Sequence, residues 1–60
     1  MNKFNIGDIV VVIKMPKGDD LDFLNGIVGE IGEIGERYTE IRMAEPGTGR
    51  IVEWWADKVR

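Results

Sequence analysis

The sequence contains no cysteine, no histidine and no serine. Without cysteine a disulfide is excluded, and without cysteine or histidine the usual ligands of structural zinc are missing. The same absences remove the nucleophiles and the base of triad chemistry, since the only hydroxyl side chains are Tyr38, Thr39 and Thr48. We therefore predict that the single chain is not an enzyme and holds no metal and no cofactor.

Long apolar runs are also missing. The longest one, residues 9–13, is far shorter than the roughly 20 residues that a membrane-spanning helix needs. Residues 1–14 carry Asp8 beside their apolar stretch and offer no small-residue cleavage site, so no signal peptide is predicted. Together with the absence of cysteine, these features lead us to expect a cytoplasmic protein.

Positive charge is scarce in the middle of the chain. Residues 19–36 carry six acidic residues and no basic one, within a formal net charge of −3. This acidic balance argues against non-specific binding of nucleic acid. One hypothesis is that this acidic band steers a basic partner, and the alternative is that it only solubilises the surface and prevents aggregation of strand edges.

Residues with a preference for strands are abundant. Eight isoleucines and six valines favour β-structure, because β-branched side chains are stiff and fit a pleated surface. Sixty residues are enough for one domain, and a domain this short buries only about 60% of its unfolded surface. We predict a single all-β domain over residues 1–60, with a dense aliphatic core or with help from a homo-oligomer.

The stretch 24–37 organises the predicted fold as one long bent strand that begins with a turn. Its apolar residues change side along the strand, and the change falls at Gly29 and Gly32, where a missing Cβ permits a bulge or a sharp coil. The two sides are Ile27 with Ile31, and Val28 with Ile34.

Turn signals divide the rest of the chain. Pro16 and Gly18 begin a long loop over residues 15–25, and Leu21, Phe23 and Leu24 are expected to fold over the core. The other predicted elements are strands over Ile9–Lys14, 38–44 and 50–55, a turn over 45–49, and a 3-10 turn over 56–59 in which Val59 covers the base of the core. On the strand 38–44, the predicted inward residues are Thr39, Ile41 and Met43.

This order of elements resembles the SH3-like small-barrel superfamily. The resemblance rests on a Gly-Asp-x-Val first strand at residues 7–12, on Asn25 and Gly26 before the central strand, and on a Trp-Ala-Asp-x-Val ending at residues 55–59. It implies a small barrel of four to five antiparallel strands with a C-terminal 3-10 turn.

Three members of that superfamily show similar segments. The glycine-rich segment 26–34 resembles the KOW module of ribosomal and transcription-elongation proteins, although Glu30, Glu33 and Glu36 stand where RNA-binding KOW modules carry basic residues. The ending at residues 55–59 resembles a photosystem I accessory subunit. The start of the chain resembles the tetrameric type II dihydrofolate reductase, but Glu53 falls in the segment that lines the pore of that enzyme.

Two adjacent tryptophans are the most informative residues for function. Neighbouring residues of a strand point to opposite faces, so only one of Trp54 and Trp55 is expected in the core. Because Trp55 has the parity of Ile51, we expect Trp54 to face outward and to serve as an interface anchor; the alternative is that the second tryptophan covers the barrel edge. The predicted partner-binding residues are Trp54, Tyr38, Trp55, Phe23, Arg42, Asp19, Asp20 and Asp22.

The favoured hypothesis is a small non-catalytic protein-interaction module, such as a bacterial or phage adaptor or inhibitor that acts on a host protein. One alternative is a KOW-like module that binds nucleic acid or the ribosome through Lys3, Lys14, Lys17, Arg42 and Arg50. Another alternative is an oligomeric enzyme whose site forms at a symmetry axis. The triplet Asp19, Asp20 and Asp22 resembles part of a calcium loop but lacks its spacing and its closing glutamate, so we interpret it as a solvated turn.

Overall fold

A computed structural model describes residues 4–18 and 20–60, and this part of the chain is built from strands. The elements are β1 (Ile9–Lys14), a 3-10 turn (Asp22–Leu24), β2 (Val28–Ile34), β3 (Thr39–Ala44), β4 (Ile51–Ala56) and β5 (Lys58–Val59). Every pair of neighbouring strands is antiparallel. The predicted all-β class is confirmed, and the five antiparallel strands lie within the predicted range of four to five. Within the described ranges, no helix has the length and apolar character needed to cross a membrane.

The two edges of the sheet are joined by a single residue. The strand order is β4-β3-β2-β1-β5, so β4 and β5 lie at opposite edges although only Asp57 separates them in sequence. Flat strands about 4.8 Å apart would place these edges about 19 Å from one another, whereas the two Cα steps across Asp57 span at most about 7 Å. The sheet must therefore curl until its edges approach at Asp57.

The curled sheet is not closed into a hydrogen-bonded barrel. The Asp57 N–H donates to the Lys14 carbonyl at 2.8 Å, which ties the corner after β4 to the end of β1. Beyond that bond, no ladder joins β4 to β1 or β5 among residues 4–18 and 20–60.

The core fills the concave side of the curl. Alternation along the strands sends one side of each strand inward. In β3 the inward residues Ile41 and Met43 are buried, as predicted, and the loop after β1 contributes Leu24, which is also buried. In the part of the chain that the structure describes, the buried apolar residues of the core are Val10, Val12, Met15, Leu24, Ile31, Ile41, Met43 and Ala56.

The central strand is shorter than predicted and changes side at one glycine. β2 begins at Val28, because the residues before it form the 3-10 turn and a following turn. A register shift between Ile31 and Glu33 confirms the predicted bulge at Gly32. Gly29 is not a bulge: it is a close-approach position, where an added Cβ would clash with the Ile41 side chain and lie 2.8 Å from the Arg42 carbonyl.

The C-terminal segment differs from the prediction. Instead of a 3-10 turn, Lys58 and Val59 form β5, which pairs with the second half of β1. The reason is that this half of β1 needs a partner on the side away from β2, and Val11 exchanges two backbone hydrogen bonds with Arg60 at 2.8 and 2.9 Å. Val59 still packs against the core, as expected from the sequence.

The contact at Gly29 yields a test of the fold. We expect Gly29→Ala to lower the free energy of unfolding by about 2 kcal/mol, since one methyl group overpacks the β2–β3 interface. In a domain of this size that loss lowers the melting temperature by roughly 8–16 °C, which thermal or urea denaturation measures.

Gly32→Ala is the matched control. Its Cβ would lie 3.0 Å from Oε1 of Glu40, the movable end of a half-buried side chain, so the melting temperature should stay nearly unchanged. Equal melting of Gly29→Ala and the unaltered protein would disprove the close approach of β2 and β3.

Candidate functional site

The two tryptophans point in the opposite sense to the prediction. Trp54 lies opposite the buried Ile41, and Trp55 lies opposite Glu40, so Trp54 takes the inner side of the sheet and Trp55 the outer side. The predicted orientation is wrong because it requires Ile51 to face inward, whereas Ile51 is 65% exposed. The inward side of β4 consists of Val52, Trp54 and Ala56.

Neither tryptophan is buried. Both keep 38% of their surface exposed, Trp54 because it belongs to an edge strand and Trp55 because it lies on the outer face. The ring of Trp55 rests on the β2–β3 turn, where a Cβ on Gly35 would meet Cζ3 of the indole at 3.2 Å. Tyr38 belongs to the same turn, and the Arg37 guanidinium lies 5.5 Å from its ring centroid. Gly35 thus lies next to both the Trp55 indole and the Tyr38 backbone carbonyl.

Arg42 lies within a charged row that crosses the outer face. The strand registers place Ile9 opposite Glu30, Glu30 opposite Arg42, and Arg42 opposite Glu53. The guanidinium forms an ion pair with Glu53 at 3.0 Å, and both side chains are about half exposed. An exposed pair of this kind contributes little to stability, so Arg42 is available to exchange partners.

A second row on the outer face carries two acidic side chains next to one another. Glu33 lies opposite Glu40, and Trp55 lies on the other side of Glu40. The bulge at Gly32 creates this pair, because the uninterrupted register would have placed Glu33 opposite Thr39 on the inner side. Like charges directly opposite one another destabilise a sheet, so this row favours a cation at the outer face.

The loop residues form a separate group. Phe23 lies on the 3-10 turn with 57% of its surface exposed, and Asp20 and Asp22 are exposed on the same loop. Asp19 lies outside the described residues. The described contacts do not join this group to the tryptophans.

Sequence reasoning missed a set of apolar residues on the outer face. Val11 lies opposite Val28, and Ala44 lies opposite Ile51 at the same end of the sheet. Val28 and Ile51 are 57% and 65% exposed, and Ile9 in the adjoining row is 69% exposed. The signal was present, since β1 is apolar on both faces and only one face can enter the core. We call Val11, Val28, Ala44 and Ile51 the outer apolar pairs.

One open cavity of about 320 Å³ lies where the curl fails to close. Its apolar walls come from Phe4, Ile34 and Val59, between the β2–β3 turn and the corner that precedes β5. Charges of both signs surround it, contributed by Glu36, Arg37, Asp57 and Lys58. Such a cleft can accept one side chain of a partner.

No family model matches the chain, and no significant match was found among curated proteins or solved structures. Across residues 4–18 and 20–60, no three acidic, cysteine or histidine side chains converge as a metal site would require.

The adjacent loop residues Phe23 and Leu24 provide a test of which side chain stabilises the core. Leu24→Ala should lower the free energy of unfolding by about 2–4 kcal/mol, because Leu24 is fully buried in the core. Phe23→Ala should change it by no more than about 0.5 kcal/mol, because Phe23 is largely exposed. Chemical denaturation of both variants measures the difference, and an equally large loss for Phe23→Ala would assign Phe23 to the core.

Proposed function

We propose that this chain is a small non-catalytic module that binds another protein through the outer face of its sheet. The observation that carries the proposal is the exposure of large apolar side chains at paired positions of that face, at Val28 and Ile51 above all. Apolar side chains that are clustered on an exposed face are typical of an interaction site, whereas single scattered ones are normal on any protein surface.

The charges on the outer face indicate the composition of the partner surface that we expect. Among the residues that the described strand pairings place on the outer face, the acids Glu30, Glu33, Glu40 and Glu53 outnumber the bases Arg42 and Arg60. A complementary surface therefore combines apolar residues with basic side chains, and electrostatic steering accelerates its association at low salt. Trp55 and Tyr38 lie beside the acidic row and supply an aromatic anchor at its end.

The function is that of an adaptor or an inhibitor, in which one surface contacts one partner. The proposal includes an SH3-like architecture, which the strand order and the pairing of β5 with β1 support. It also includes a cytoplasmic setting. The acidic outer face disfavours the nucleic-acid alternative, because phosphates would meet like charge there.

Affinity capture from lysate of the source cells tests the proposal, with nuclease-treated and untreated arms at two salt concentrations. A protein should be retained in both nuclease arms. The double variant Val28→Thr, Ile51→Thr should retain about tenfold less of it, because threonine keeps the strand shape but removes apolar contact area.

Ile6→Thr provides the matched control. Ile6 is 67% exposed but lies before β1, so the same change there should leave capture and melting temperature unaltered. Capture that disappears after nuclease treatment would move the chain into the nucleic-acid class. Equal capture by the double variant and Ile6→Thr would exclude the outer apolar pairs as the binding surface.

A further inference from the structure

We infer that the open edge of β4 accepts an extended segment of another protein, which adds a sixth strand to the sheet. The inference rests on the proposed function, because it specifies how a protein partner is held. Strand addition of this kind obtains affinity from main-chain hydrogen bonds and specificity from the alternating side chains.

Hydrogen-bond alternation shows which backbone groups of β4 face outward. In an antiparallel pair, hydrogen-bonded and non-hydrogen-bonded positions alternate. The Glu45 N–H donates to the Arg50 carbonyl at 2.7 Å, so Arg50 and the even-numbered residues of β4 face β3. The N–H and carbonyl groups of Ile51, Glu53 and Trp55 consequently point toward the free edge.

Asp57 confirms this direction independently. It is the next odd-numbered residue, and its N–H bonds to the Lys14 carbonyl of β1 on the free side of β4. Along residues 4–18 and 20–60, no other segment offers a backbone or side-chain hydrogen bond to the outward groups of Ile51, Glu53 and Trp55. The edge is therefore tied at one end and open along the rest of its length.

The usual protections of an edge strand are absent from β4. Natural edges are blunted by proline, by lysine, by a bulge or by very short length. β4 has six residues in an uninterrupted register with β3, and it contains no proline and no basic residue. Its only charge is Glu53, which Arg42 already contacts on the outer face.

The negative charge of Glu53 indicates which kind of strand can pair with the free edge of β4. A symmetric dimer through β4 centred on Glu53 would place two carboxylates directly opposite one another, in a chain that already carries a net charge of −3. A strand of another protein with a basic residue opposite Glu53 replaces this repulsion with attraction. We therefore assign the edge to a heterologous basic strand rather than to a second copy.

The side chains beside the edge define the rest of the pattern. On the outer side, Ile51 and Trp55 flank Glu53, so the incoming strand should carry apolar residues on either side of its basic residue. On the inner side, the exposed part of Trp54 and the half-buried Val52 favour apolar residues as well. A matching probe is the peptide Thr-Val-Val-Lys-Val-Val-Thr.

Amide NMR spectroscopy of the labelled protein during titration with this peptide tests the inference. We expect signal shifts and about tenfold slower solvent exchange at the amides of Ile51, Glu53 and Trp55, the groups that gain hydrogen bonds. The same peptide with glutamate in place of lysine should bind about tenfold more weakly, and Glu53→Lys should reverse that preference.

Glu53→Pro and Glu53→Ala isolate the backbone contribution. Both remove the carboxylate, but only proline removes the outward N–H, and proline is tolerated on an edge strand where that group faces solvent. Glu53→Pro should bind the peptide about tenfold more weakly than Glu53→Ala. If Glu53→Pro fails to fold, the charge reversal with Glu53→Lys decides the question.

Three results would overturn the inference: no shifts up to about 1 mM peptide, shifts at Val11, Val28 and Ala44 with none at Ile51, Glu53 and Trp55, or a concentration-dependent dimer that protects the same amides. The proposed function is tested separately. If substitution of Val28 and Ile51 abolishes capture of the natural partner while Glu53→Pro does not, the binding module stands and the β4 edge is not its site.

Discussion

Chain continuity at Asp57 is the constraint on which the rest of the structure depends. The residue joins the two strands that hydrogen bonding places at opposite edges of the sheet. The sheet can meet both demands only by curling, and the curl creates a concave interior large enough for one small core. The same geometry explains the open cavity and the unpaired edge. The approach at Asp57 brings the ends of β1 and β4 together, but the two strands do not pair along the rest of their described residues.

The small size of the domain explains why so much apolar surface stays outside. Eight apolar side chains fill the concave side. β1 and β4, however, carry large apolar residues on both parities, and a single curled sheet can bury only one side of each strand. Residues such as Ile9, Val28 and Ile51 therefore remain on the convex side. The binding surface that we propose therefore exists because these strands carry apolar residues on both faces, whereas the fold covers only one face.

Two glycines of β2 have different physical roles. Gly29 allows β2 and β3 to approach where any Cβ would overlap Ile41. Gly32 inserts one extra residue into the register, which turns Glu33 from the inner side to the outer side of the sheet. The acidic row, to which we assign a part in the choice of partner, thus arises from the bulge that also preserves an apolar interior.

The sequence by itself determined the all-β class, the location of β1, the β3–β4 hairpin, the inward residues of β3 and the bulge at Gly32. These features follow from local rules, namely β-branching, alternation and turn chemistry, which operate over a few residues. The acidic character of the middle third was equally evident, because charged residues can be counted from the sequence without knowledge of the fold.

Only the tertiary structure decided which side of β4 faces the core and what the last residues do. Both sides of β4 are apolar, so alternation alone could not distinguish them, and pairing with Ile41 gave the inner side to Trp54. The C-terminal residues became a strand because β1 lacked a partner on the side away from β2, a need that arises between segments far apart in sequence. The open edge of β4 also depends on tertiary structure, because the curl of the sheet leaves β4 without a second neighbouring strand.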